Sequence, residues 1–165
     1  MKRYIKSAIT PLSEEPYNLR VDLATYNTTD SRTLDQLADE EDEIIRIMVA
    51  SNMNTSPATL ARLATSTDIG VRCCVGDNPN TPDTALVILA EDEHPDVRSH
   101  VAKNVKCPES LLCKLAADKS WKVKQAVVEN PSTSDDILRH MSVDPERFIR
   151  RFAQHRLGLI EHLWE

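Results

Sequence analysis

Arg46, Arg72, Arg98, Lys124 and Arg150 recur at a constant interval of 26 residues in this 165-residue chain. A row of evenly spaced cations could clamp successive phosphates along a groove. It could equally lie inside the fold, each base held by an acid. Asp92, Asp118 and Asp144 stand six residues ahead of Arg98, Lys124 and Arg150, and Glu40 stands six ahead of Arg46. An acid moving in step with a base favours an internal ion-pair ladder that ties one unit to the next. Arg72 breaks the pattern, with Ser66 at that place and Asp68 close by. Further along, Arg147, Arg151 and His155 fall four apart and share a helix face. With Lys122 they form a candidate surface for an anionic partner, an acidic peptide or nucleic-acid phosphate. The competing reading is a charged terminal cap, which end repeats require.

Other reactive residues are present without a reactive pattern. Cys73, Cys74, Cys107 and Cys113 form no CxxC pair. Cys74 and His100 share a register position, but equivalent sites on packed helices lie about 8–10 Å apart. Two ligands of one zinc must approach within roughly 4 Å of each other. No metal and no cofactor is therefore expected, and the cysteines read as buried or half-buried free thiols of a reducing cytoplasm. The histidines make no HExxH, and no Ser/His/Asp grouping stands out. The acidic run at 39–43 reads as a solvated turn. With 3 Gly there is no phosphate-cradling loop, and with 4% aromatics few platforms exist for stacking bases. No catalytic residue is nominated, so the chain is expected not to be an enzyme. No apolar stretch of about 18 residues occurs, and the N-terminal MKRYIKSAITPLSEEP lacks the apolar core of a signal peptide.

The elements that carry these residues follow the same step. Asn52, Asn78, Asn104 and Asn130 are 26 apart, as are Leu34, Leu60, Leu86, Leu112 and Leu138. Leu37, Leu63, Leu89, Leu115 and Met141 form a third column. Ile45, Val71, Val97, Val123 and Ile149 form a fourth, and Val49, Val75, Val101, Val127 and Ala153 a fifth. Leu19, Arg20 and Leu23 begin a degenerate half unit, with Asn27 one place late. Leu86, Leu89 and Ala90 lie at i, i+3 and i+4, which predicts a helix of about ten residues opened by Pro82 with Thr81 as N-cap. Val97 and Val101 predict a second helix of similar or shorter length, ended by Asn104 in a left-handed conformation. The repeated amide reads as a structural device that satisfies backbone groups at the turn. Neither helix can bury its apolar stripe alone, so the units must stack. The fold class is all-α, a solenoid over 17–156, with an N-terminal extension over 1–16 and a C-terminal capping tail over 157–165.

The string VRCCVGDNPNTPDTALVILAEDEHPDVRSHVAKN resembles the leucine-rich repeat variant, and the repeat is also similar to HEAT-like and armadillo-like units. The resemblance spans nearly the whole chain. It implies a right-handed superhelix whose second layer is short or 3₁₀ in character. The founding member of that family carries an iron–sulfur cluster on a cysteine-rich N-terminal segment; no cysteine here precedes Cys73, so no cluster is implied. Such folds imply a non-catalytic scaffold that presents an extended surface to a protein partner. The alternative is a nucleic-acid-binding solenoid using the basic C-terminal end. Residues 1–97 hold 8 bases against 17 acids, whereas residues 98–156 hold 12 against 7, so the axis is electrically polar. The overall charge of -6 and the scarcity of aromatics weigh against nucleic acid. No membrane association is expected.

Overall fold

The structure, a computed structural model, describes residues 12–162. The first eleven residues of the expected extension and the last three of the expected tail lie outside the described residues. Helices of two lengths alternate along the chain. Seven-residue helices form one layer: α2 (Ser31–Leu37), α4 (Pro57–Leu63), α6 (Asp83–Leu89), α8 (Glu109–Leu115) and α10 (Asp135–Met141). Nine-residue helices form the other: α1 (Tyr17–Thr25), α3 (Glu43–Ser51), α5 (Ile69–Asp77), α7 (Pro95–Lys103) and α9 (Trp121–Glu129). The ten-residue α11 (Arg147–Arg156) ends the series, and a 3₁₀ turn at Leu12–Glu14 precedes it all. No strand occurs among the described residues.

The chain is an all-helical repeat solenoid. α1, α3, α5, α7 and α9 stack directly on one another, and α11 leans onto α10 as well as α9. The four apolar Leu and Val columns all point between the layers and are buried, from Leu34 and Leu37 through Met141, Ile149 and Ala153. Burying each such side chain removes apolar surface from water worth about 1.5–3 kcal/mol, which a lone seven-residue helix could not retain.

The relative helix lengths differ from the expectation. The second helix of each unit is the longer and is α-helical, whereas the first stops after seven residues. Its final turn tightens: the amides of Glu91 and Asp92 donate to Ile88 and Leu89, three residues back. This exchanges one more α turn for a change of direction into the second helix. The asparagines also differ. Asn52, Asn78, Asn104 and Asn130 all sit in extended backbone, with φ of -61° to -74°. The left-handed conformation occurs instead at Gly158, with φ of 69°. There the amides of Gly158 and Leu159 donate to the His155 and Gln154 carbonyls at 2.9 Å each, a Schellman closure of α11. Thr81 is not an N-cap either, because Pro82 itself occupies that position. The Thr81 hydroxyl faces backward and donates to the Val75 carbonyl at 2.5 Å, as Thr55 does to Val49 and Thr133 to Val127. These threonines therefore finish the preceding nine-residue helix.

Candidate interaction surface

The repeated polar columns are consumed by the stack. Each ladder asparagine makes three hydrogen bonds. The Asn104 amide nitrogen donates to the carbonyls of Gly76 at 2.8 Å and Asn78 at 3.0 Å, both in the preceding unit. Its Oδ1 accepts from the Lys106 amide at 2.9 Å. Asn52, Asn78 and Asn130 repeat the arrangement. The last unit continues it with a different residue: Arg156, 26 after Asn130, donates through Nη1 to the carbonyls of Val128 at 2.9 Å and Asn130 at 2.6 Å. Stepping the register once more along the sequence finds Arg156, although its type hides its role.

The ladder bases are paired within the stack, with a different partner from the one their spacing indicated. Arg98 donates through Nη1 to the backbone carbonyl of Asp92 at 2.7 Å, so the acid six residues back supplies its main chain. The carboxylate comes from the next unit: Asp118 accepts from Nε at 2.7 Å and from Nη2 at 2.9 Å. Arg72 is no exception, since it takes Asp92 in the same bidentate way and reaches the Ser66 carbonyl. Arg46 takes Asp68 and the Glu40 carbonyl. Lys124 takes both oxygens of Asp144 at 2.9 Å. Arg20 begins the series by pairing with Glu40 at 2.5 Å. Arg150 reaches the Asp144 carbonyl at 2.6 Å. Asp92, Asp118 and Asp144 also accept a backbone amide two residues on, from His94, Ser120 and Glu146. Burial pushes the Asp92 and Asp118 carboxyls up, but the hydrogen bonds and charge of Arg72 and Arg98 outweigh it, and both titrate below the usual range. The same bonds raise Arg72 and Arg98.

The surface candidates come together on one face. In α9 the first, second and ninth residues, Trp121, Lys122 and Glu129, are exposed and the fifth, Gln125, is half-buried; 26-residue steps place Trp121 and Arg147, Gln125 and Arg151, and Glu129 and His155 in shared columns. Lys122 lies beside Trp121 and reaches Asp96 at 3.3 Å, with both side chains about half exposed. Arg147 and His155 are exposed, while Arg151 donates to the His162 carbonyl at 2.9 Å. Toward the N-terminus the same face turns apolar. Tyr17 (47%), Ile44 (50%) and Ile69 (42%) are exposed on it, with Ile47 and Cys73 partly buried beside them. Sequence reading passed over these because a stray exposed Ile is ordinary, and because they share no single column: Tyr17 and Ile69 stand two steps apart with Glu43 between them, and Ile44 sits one residue off. Trp121 and Phe148 rim a groove of about 520 Å³ between α9 and α11. A groove of about 300 Å³ between α7 and α9 lies on Trp121's other side.

The cysteines are all free thiols, but Cys113 is exposed rather than buried. Burial pushes the Cys73 and Cys107 thiols up to about 11, which leaves them protonated and unreactive at neutral pH. Cys113 and His140 line a third cavity of about 540 Å³ between α8 and α10. His100 is engaged by Asp77 of the preceding unit at 2.6 Å. No helix among the described residues is long and apolar enough to cross a membrane.

No protein-family model matches the chain, and no curated protein matches it in sequence. Among solved structures, the chain is similar to a leucine-rich repeat variant with a repetitive structural motif, at 26% identity and a TM-score of 0.67. The match covers 87% of this chain, which spans 57% of the length of that one. Stacked helical units joined by side-chain ladders and a matching solved repeat lead to one conclusion: over most of its length this chain resembles the leucine-rich repeat variant in fold and in sequence.

Proposed function

We propose that the protein is a non-catalytic scaffold that binds a protein partner on the outward face of its nine-residue helices. One observation carries this reading. The repeated asparagines, threonines and ladder bases are spent on backbone and neighbouring units, whereas Tyr17, Ile44, Ile69 and Trp121 are held half exposed near the starts of α1, α3, α5 and α9. Half-exposed apolar side chains gathered on one layer of helices make a surface that gains by being covered. Extended repeat surfaces serve this purpose generally, which makes part of the warrant an analogy of architecture. The four free thiols fit a reducing, cytoplasmic setting.

Affinity capture with the intact chain and with Ile44→Asp/Ile69→Asp/Trp121→Ala tests the proposal. Proteins recovered by the wild type and lost by the folded variant support it. An identical set recovered by both removes this face from consideration. The rival, phosphate binding by Arg147, Arg151 and His155 of α11, meets interruption by Glu129 at the end of the neighbouring α9 and Glu146 at the N-cap of α11. Binding of labelled duplex or single-stranded DNA at low salt, lost in Arg147→Ala/Arg151→Ala, would restore it.

A further inference from the structure

We propose that the groove between α9 and α11 takes an acidic peptide segment, which inserts an aliphatic or aromatic side chain beside Trp121 and Phe148 and sets a carboxylate against Arg147. This rests on the scaffold reading and adds the chemistry of the partner. The groove exists because α11 leans toward α10 instead of continuing the close stack of α7 on α9. Its walls are the Trp121 indole, the Phe148 ring and Ile149, and its volume of about 520 Å³ holds a large apolar side chain with room to spare. Phe148 lies 5.6 Å from the Phe152 ring, centroid to centroid, so the aromatic wall is braced from behind. Trp121, 54% exposed, gains most from being covered, and aromatic side chains in such positions are the usual anchors of an interface.

Charge selects the segment. Arg147 is exposed in the same register column as Trp121, one unit on, and Lys122, next in sequence to Trp121, pairs with the half-exposed Asp96 at 3.3 Å. A carboxylate on the ligand finds an exposed cation here without breaking a buried pair. Glu146 is the carboxylate in the groove lining, and its repulsion gives the bound segment a direction. A nucleic acid, with a phosphate at every residue, cannot avoid Glu146 or Glu129 in the same manner.

The test is selection of a phage-displayed random 12-residue peptide library on the intact chain, followed by fluorescence anisotropy of the enriched peptides. The expected consensus is a Leu, Ile, Phe or Trp flanked by Asp or Glu. Arg147→Glu and Trp121→Ala should each weaken binding by about tenfold or more, and Lys106→Glu, at an exposed turn away from the groove, by less than about twofold. Circular dichroism of each variant establishes that it is folded. The proposal is overturned by no enrichment, by a consensus lacking acids, by acidic peptides that bind Arg147→Glu as tightly as the wild type, or by displacement of the peptide by oligo(dT) at physiological salt. Should the peptides fail while partner capture still depends on Ile44, Ile69 and Trp121, the scaffold reading stands and only the chemistry of its partner falls.

Discussion

Removing the Arg98 side chain leaves the largely covered Asp118 carboxylate without its counter-ion and the Asp92 carbonyl without its donor. Breaking a buried pair in this way costs about 3–5 kcal/mol, against at most about 1 kcal/mol for an exposed one. Arg98→Ala should therefore lower the melting temperature strongly. Adding Asp118→Ala should cost less than the sum of the two single changes, because no orphaned charge remains. The pair Arg98→Ala with Asp92→Ala should be nearly additive, since the Asp92 carboxylate belongs to Arg72. A double-mutant cycle on both pairs checks the assignment. The step of the ladder is legible in the sequence, but the partner is not. An acid six residues back faces the guanidinium with its carbonyl, because its carboxylate has already turned to accept the amide two residues ahead.

The same carboxylates set the response to acid. Asp92 and Asp118 titrate below their unfolded values, so the unfolded chain binds more protons as the pH falls. Their contribution is complete above the ordinary carboxylate pKa of about 4 and is lost as the pH drops through the depressed folded values. Melting temperature should be level near neutrality and fall below about pH 4. Asp118→Asn should begin lower and fall less steeply. Cys107 gives a prediction of opposite sign. It stands in the column of Thr55, Thr81 and Thr133, whose hydroxyls close the preceding helix, while its own thiol makes only a 3.8 Å contact with the Pro108 carbonyl. Cys107→Thr should supply a hydroxyl to the Val101 carbonyl and stabilise by about 0.5–1.5 kcal/mol.

At the scale of helices, the asparagine is the joint. Asn104→Ala removes donors from two buried carbonyls of the unit before it, so the cost should be about 2–4 kcal/mol, read by denaturant titration. Leu89→Ala should cost about 2–5 kcal/mol by leaving a cavity between the layers, whereas Lys103→Ala on the exposed side should stay within about 0.5 kcal/mol. The helices and their buried faces are legible because an i, i+3, i+4 pattern repeated in five units has one solution. Their relative lengths are not, because the end of each first helix is decided by a tightened last turn that any residue can make. The asparagine's position is equally plain. Its conformation is not, since the amide here reaches across units instead of folding back on its own backbone.

At the scale of the molecule, every tie reaches only the adjacent unit, so stability should behave as a sum of units and nearest-neighbour joints. Arg156→Ala cuts the last joint, and amide exchange should quicken in α10 and α11 while α3 to α7 keep their protection. Asn78→Ala cuts a central joint and should lower protection on both sides of it. The proposed binding face was only half legible: the charged residues of α11 stand out by spacing, while the apolar stripe on α1, α3 and α5 emerges only when the units are superimposed in space.

The closed span of the joints also bears on how such a gene can change. A donor in one unit meets carbonyls 26 and 28 residues earlier, and a base meets an acid 20 residues later in most units. Deleting or copying one whole 26-residue period, such as 79–104, returns every remaining donor to an equivalent acceptor. Inserting a single residue inside a nine-residue helix sends an amide, a guanidinium and a stripe of valines to the wrong address together. The length of this protein is thus free to vary in whole periods and nearly fixed within one, so unequal crossing-over between repeats is a far gentler mutation here than a one-codon slip.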